Sequence, residues 1–202
     1  STFQTKKGYF EDVLKMSMKN SVNDCIKAAS EVVKLGDNPK LGGLVYPVMQ
    51  ALDEEYLDVD AQFGGMDQRK IFVFARENLP KLGYKARIEL LNPILPGLIG
   101  KKMSSSIPGT KIDVIDDEKT VRERINKAEC VEGNSNNGIM AFLKYVIFVM
   151  KEDSDGRFVV ERPAKYGGTL TYKHYIDLER DFVEKKLHPI DLKNSLAKEI
   201  NA

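Results

Sequence analysis

Between residues 41 and 91 the hydrophobic period switches from helical to strand-like, back to helical and again to strand-like. This alternation limits the folds open to the chain more than any other feature. Leu44, Val45, Val48, Met49 and Leu52 recur at helical spacing in a segment from about Leu41 to Tyr56. Leu57–Gln62 reads as a short strand running into Gly64-Gly65, and a further helix spans about Met66–Leu82 before Gly83 closes it. Ile88–Leu91 is a short apolar run of the kind that forms a buried parallel strand. Helix, strand, helix and strand in that order point to an α/β fold containing half of an open parallel sheet.

Outside this stretch the pattern is mainly helical. Val22, Ile26, Ala29 and Val33 predict a helix over about 22–35 that stops at Gly36. Asn92–Thr110 is a long loop rich in Gly, Pro, Ser and Lys, and a loop of that length inside a compact domain is usually functional. Asp117 can cap a helix running to Cys130. Glu132–Asn137 reads as a turn before a mostly apolar helix to about Met150. Arg157–Arg162 is extended, Gly167-Gly168 breaks the chain, and two helices follow at about Tyr172–Leu187 and Pro189–Asn201, the second with Pro in its first turn. The expected boundary lies near residue 115, giving segments 1–115 and 116–202.

Hydrophobic residues at 42% and charged residues at 30% fit a globular chain, and a net charge of +1 gives no global basic signal. Any nucleic-acid contact must then rest on a local patch. Cys25 and Cys130 lie far apart without a CxxC pair, which argues against a disulfide framework or a zinc site and for a reducing compartment. The longest apolar stretch, around Gly138–Met150, is broken by Lys144 and is too short to span a bilayer. Lys6 and Lys7 lead into Gly-Tyr-Phe-Glu-Asp, not into the apolar run of a signal peptide, so a cytoplasmic protein is expected.

Three polar constellations admit a structural and a functional reading. Tyr46, Gln50 and Asp53, at i, i+4 and i+7, share one face of an otherwise apolar helix. Buried, they need partners, either among themselves and a nearby loop or in a small polar ligand. The run Asp60–Lys70 ends a strand in two glycines and opens a helix with Asp67 and Gln68. That is either a plain helix start, with Asp67 favoured by the dipole, or a ligand site at the carboxyl end of a parallel strand. Gly100-Lys-Lys-Met-Ser-Ser-Ser is either a solvated basic loop or a phosphate-binding one, and its glycine spacing excludes a P-loop.

These segments, taken together, resemble the tyrosyl-tRNA synthetases of eukaryotic and archaeal type. Lys102-Met103-Ser104-Ser105-Ser106 is similar to the KMSKS signature of class I synthetases, with Ser105 in place of the second lysine. The segment from Tyr46 to Leu57 resembles the family's tyrosine-binding helix, and Asp60–Phe72 its GG-x-DQ-RK segment. Arg162-Pro-Ala-Lys-Tyr-Gly-Gly and Leu187-His-Pro-Ile-Asp-Leu-Lys-Asn resemble its anticodon-binding domain. The likeness covers nearly the whole chain from about residue 20.

The resemblance implies a C-terminal half of a Rossmann-like parallel sheet, with part of the connective insertion, in residues 1–115, and a helical anticodon-binding domain in 116–202. It implies that Tyr46, Gln50 and Gln68 hold the α-amino group of L-tyrosine and that Asp53 binds its phenolic hydroxyl. Gly64, Gly65 and Asp67 fall near the ATP ribose. Lys102, Met103, Ser104, Ser105 and Ser106 close on the triphosphate, which carries Mg2+. Tyr166 stacks on the first anticodon base of tRNA(Tyr), and Asp191 hydrogen-bonds it. About the first 40 residues correspond to a homodimer contact. The family's HIGH-type motif is not in the sequence: the histidines are His174 and His188, and neither lies in such a motif. The expectation is therefore a fragment that lacks the N-terminal half of the catalytic domain, is inactive alone, and has a sticky unpaired sheet edge. A catalytically silent relative that binds tRNA or protein, and a tryptophan-specific relative, are the competing readings.

Overall fold

The computed structural model describes residues 2–100, 103, 109–113 and 115–201. It divides into two compact units, Ser1–Ile94 and Leu95–Ala202. This geometric division falls ahead of residue 115 because Leu98 is 2% exposed within the core of the second unit, where its carbonyl accepts from the Glu129 amide.

The first unit opens with α1 (Lys7–Met18), α2 (Val22–Ala29) and α3 (Leu41–Tyr56). Ser21 starts α2 with a reciprocal capping box to Asp24. The predicted helix over 22–35 ends earlier, at Ala29, where the amides of Val32 and Val33 fold back onto the Ala29 carbonyl. α3 matches the expected range and presents Val48, Ala51 and Leu52 to a core shared with Tyr9, Val13 and Met16 of α1. β1 (Ala61–Gly65) leads through a 3₁₀ turn at Met66–Gln68 into α4 (Arg69–Asn78) and a second 3₁₀ turn, closed by Gly83 in the left-handed region (φ 87°). β2 (Ile88–Asn92) then pairs parallel to β1, with Gly64 opposite Leu91 and Gly65 opposite Asn92.

The parallel pairing agrees with the sequence reading, but the burial of β2 does not. Ile88 and Leu90 are 65% and 51% exposed, and Phe63 on β1 is 69% exposed. Among the described residues only one face of this two-stranded sheet is covered, so alternate side chains face outward.

The second unit contains α5 (Glu118–Lys127), α6 (Gly138–Phe142), α7 (Phe148–Asp153), β3 (Phe158–Val160), β4 (Leu170–Tyr172), α8 (Tyr175–Val183) and α9 (Pro189–Ile200). Asp117 caps α5 by accepting from the Thr120 amide at 2.7 Å. The apolar helix expected to run to Met150 is interrupted at Leu143–Ile147 by a π-helical turn. The helix expected from Tyr172 begins at Tyr175, because Leu170–Tyr172 pairs antiparallel with β3. Leu143, Phe148, Phe158, Phe182, Leu192 and Leu196 lie in one apolar core. Among the described residues no helix is long and apolar enough to cross a membrane.

Candidate functional site

In the first unit the polar stripe of α3 faces the end of β1 and the N-terminal segment. Gln50 Nε2 donates to Gln68 Oε1 at 3.0 Å, so the helix stripe and the first turn after β1 meet, two segments that the spacing alone did not pair. The double glycine explains how. A Cβ at Gly64 would stand 2.9 Å from Phe72 Cζ and 3.2 Å from Gln68 Cγ, so only glycine lets this turn fold back tightly enough to aim Gln68 at α3. A Cβ at Gly65 would stand 2.7 Å from Asp67 Oδ1, which fixes Asp67 against the strand end.

Gln50 holds the feature that most requires a ligand. Its Oε1 is buried and has no hydrogen-bond partner among the described residues. A buried amide oxygen without a donor costs free energy on the order of 1–3 kcal/mol. One turn further on, Asp53 is half-buried and accepts from the Tyr9 hydroxyl at 2.8 Å and from Gln4 Nε2 at 3.0 and 3.2 Å. Sequence reasoning did not find Gln4 and Tyr9. They lie outside the helical stripe, and only the packing of α1 on α3 brings them to it.

The expected burial of the whole stripe does not hold. Tyr46 is 45% exposed, although Pro47 and Val48 beside it are buried. A second polar network lies behind the stripe. Asp12, 4% exposed, accepts from Tyr56 at 2.8 Å, from Lys15 at 2.9 Å and from Tyr84. Burial pushes the Asp12 carboxyl up, but the bonds from Tyr84, Lys15 and Tyr56 outweigh it and hold it below the ordinary aspartate range. Tyr9 and Tyr56 are raised well above the ordinary phenol range, first by burial and then by their carboxylate partners, so both remain donors.

The second unit has a cleft of about 460 Å³ that brings Tyr166 and Asp191 together with Arg162, Lys185, Lys186 and His188. Gly167 and Gly168 adopt positive φ, 95° and 73°, and carry the chain past Arg162, which donates to the Gly168 carbonyl at 3.0 Å and to the Lys186 carbonyl at 2.8 Å. Tyr166, 61% exposed, has Lys165 Nζ 4.8 Å from its ring centroid. His188 caps α9 through Nδ1, which accepts from the Ile190 amide, and Asp191 stands in that helix's first turn. Met103 is half-buried. Lys102, Ser104, Ser105 and Ser106 lie outside the described residues. Among the described residues no three His, Cys, Asp or Glu side chains gather so as to hold a metal ion.

Comparison with known proteins points in one direction. The family of tRNA synthetases class I (W and Y) matches residues 1–202. The cytoplasmic tyrosine–tRNA ligase of Gallus gallus is 50% identical over 200 residues, covering 98% of this chain and 37% of that protein. That of Saccharomyces cerevisiae is 49% identical over 207 residues, covering 100% of this chain and 52% of its own length. The crystal structure of tyrosyl-tRNA synthetase complexed with L-tyrosine from Archaeoglobus fulgidus superimposes with a TM-score of 0.85 at 43% identity, over 99% of this chain and 61% of that one. The chain thus spans about half the length of the relatives it matches. It belongs to the class I tRNA synthetases of tryptophan and tyrosine and, within them, to the tyrosyl-tRNA synthetases.

Proposed function

We propose that this chain forms the amino-acid-binding helix and the anticodon-reading part of a tyrosine–tRNA ligase. The reaction joins L-tyrosine to tRNA(Tyr) at the expense of ATP. In the first step a tyrosine carboxylate oxygen attacks the α-phosphorus of ATP, the bond to the bridging oxygen of pyrophosphate breaks, and tyrosyl adenylate and pyrophosphate form. In the second, a ribose hydroxyl at the tRNA 3′ end displaces AMP. No covalent nucleophile is needed from the protein; it positions the reactants and balances developing charge.

The unpartnered Gln50 Oε1 carries this reading. An ammonium group has three donors and no acceptor, so it satisfies a buried amide oxygen, as a carboxylate, which only accepts, cannot. Gln68, bonded to Gln50, and Tyr46, one turn earlier, complete the proposed amino-group site. Asp53 takes the phenolic hydroxyl, and phenylalanine would leave that acceptor short of a donor. Gly64, Gly65 and Asp67 stand at the carboxyl end of β1, where open α/β sheets bind ligands, and are assigned to the ATP ribose. Lys102–Ser106 take the triphosphate on the strength of their sequence, and Mg2+ enters with ATP as part of the substrate.

The cleft around Tyr166 and Asp191 is assigned to the anticodon: an exposed aromatic for stacking, a carboxylate for hydrogen bonding and several cations for the backbone. Residues 1–115 are read as the C-terminal half of a Rossmann-like catalytic domain and 116–202 as the anticodon-binding domain. Phe10, Leu14 and Met18 expose 62%, 50% and 87% of their surface along one face of α1, which supports a homodimer contact there. The cytoplasm is the proposed location, in line with the names of the relatives.

The test is tyrosine-dependent ATP–pyrophosphate exchange by the natural full-length protein that carries this sequence. Gln50→Ala is expected to raise KM for tyrosine by about 10- to 100-fold, the loss of one hydrogen bond to a charged group. Exchange indifferent to this substitution, or independent of tyrosine, refutes the reading.

A further inference from the structure

Tyr9 is 1% exposed, and its ring lies edge-on to Tyr56 and Phe3 with centroids 4.9 and 5.8 Å away. Its hydroxyl is 2.8 Å from Asp53 Oδ1 and 3.0 Å from the Met49 carbonyl, one helical turn earlier on α3. A phenol has one proton to give. The nearer, charged carboxylate is the stronger acceptor, so the proton lies mainly toward Asp53. A carboxylate offers about four lone-pair directions. Oδ1 receives Tyr9 and the shorter Gln4 contact, whereas Oδ2 receives, among the described residues, the longer Gln4 contact at 3.2 Å. The two oxygens are therefore unequal: one is held from within the fold, and the other retains capacity for a donor from outside.

We infer that Tyr9 is the positioning residue for the carboxylate that recognises the substrate phenol, holding Oδ1 so that Oδ2 is presented to the incoming hydroxyl. This rests on the assignment of Asp53 given above. Among the described residues the other side chain hydrogen-bonded to Asp53 is Gln4, and an amide on a side chain with three rotatable bonds is a softer restraint than a hydroxyl on a packed ring. The consequence is for specificity. Tyrosine depends on where Oδ2 points; phenylalanine, without a hydroxyl, does not.

The experiment measures kcat/KM for tyrosine and for phenylalanine in pyrophosphate exchange, using active-site-titrated, natural full-length protein. Tyr9→Phe keeps the ring and removes the hydroxyl. The tyrosine-to-phenylalanine ratio is expected to fall about 10-fold or more, mostly through the tyrosine value. Tyr9→His, which retains a ring but not the reach of the phenol oxygen, is the second variant and should also lower the ratio. Tyr56→Phe is the control. It removes a phenol hydroxyl of the same cluster that donates to Asp12 and not to Asp53, and should lower thermal stability while leaving the ratio alone. A wild-type or increased ratio from either folded Tyr9 variant overturns the proposal. Asp53→Asn separates the two levels. If it lowers the ratio and the Tyr9 variants do not, only the positioning role fails; if it leaves the ratio unchanged, the assignment of Asp53 fails and the role of Tyr9 with it.

Discussion

In the unit Ser1–Ile94 the buried residues include Asp12, Glu54, Asn78 and Arg87, each at most 7% exposed, beside an apolar cluster built on α1, α3 and α4. In the unit Leu95–Ala202 the buried polar residues, among the described residues, are Thr110 and Ser195, and the core that runs from Leu98 to Ala197 is apolar. Apolar interiors gain free energy from every side chain removed from water. Charged groups in the same position cost free energy unless each finds a partner of the right geometry. Asp12 does, with three donors. Arg87 does, through Glu55 at 2.6 Å and the Val59 carbonyl at 3.0 Å. The unit that carries the proposed amino-acid site thus has an interior in which polar groups fix one another's orientation, and the helical unit has an interior in which they are nearly dispensable.

The largest effect expected from this contrast is in the helical unit. Phe158 is fully buried and lies 5.9 Å, ring to ring, from Phe148. Phe158→Ala should cost about 3–5 kcal/mol, seen by denaturant unfolding, and hydrogen exchange should localise the loss to the second unit. Because no titratable partner is involved, the loss should be the same at pH 5 and pH 8. A loss spread evenly over both units would break the comparison.

Asp12→Ala comes next, at about 3 kcal/mol, because it removes a buried carboxylate and leaves the hydroxyls of the half-buried Tyr56 and Tyr84 without that acceptor. Here pH matters. The Asp12 carboxyl is held below its ordinary value, so its contribution is complete above the unfolded aspartate pKa and disappears as pH falls through the folded one. The deficit of the variant should shrink on acidification, whereas that of Phe158→Ala should not.

Glu54 tests the opposite sign. Burial, and then the nearby charge of Glu89, push its carboxyl up to about 7, with Arg87 acting against them. Folding therefore takes up a proton between the ordinary glutamate value and about pH 7, and stability declines as pH rises through that window. Glu54→Gln should stabilise the chain by on the order of 2 kcal/mol at pH 8 and scarcely change it at pH 4. A variant less stable than the parent at pH 8 would show that the ionised carboxylate is better satisfied than its surroundings indicate.

The same contrast explains what could be read from the sequence. The helix Leu41–Tyr56 and the parallel partner at Ile88 were legible because period and length agree there; the strand at Gly64-Gly65 was legible in kind, but it spans Ala61–Gly65 and not Leu57–Gln62, because Leu57 still caps the preceding helix. The meeting of Gln50 with Gln68 was not fixed by helical spacing; only the family resemblance put the two at one site. Tyr9 and Gln4 were not legible. Their contact with Asp53 spans more than forty residues and is set by how α1 packs on α3, which no local pattern encodes. The exposure of Ile88 and Leu90 was missed for a related reason: an apolar run signals a buried strand only if the surrounding layers are present. In the helical unit the π-helical turn at Leu143–Ile147 escaped because its extra residue scarcely disturbs an apolar run, and β4 because three residues are too few to show alternation.

The smallest effect sharpens the contrast at the edge of the apolar unit, where a polar side chain matters for a purely local reason. Asn137 precedes α6 in extended conformation, and its Oδ1 accepts from the Met140 amide at 3.0 Å. Its Nδ2 donates to the Asn134 carbonyl at 2.7 Å, so the cap is itself held by the preceding turn. The next residue must be small: a Cβ at Gly138 would stand 2.4 Å from the Gly97 carbonyl oxygen, which seats the first turn of α6 directly on the Leu98 segment. With the start of the helix fixed by that contact, Asn137→Ala should remove only the cap and cost about 1 kcal/mol. Asn137→Asp should keep the acceptor, gain from the helix dipole and lose the bond to Asn134, for little net change. A cost for Asn137→Ala as large as that of Asp12→Ala would mean that the helical unit also depends on a cooperative polar network, and the distinction between the two interiors would fall.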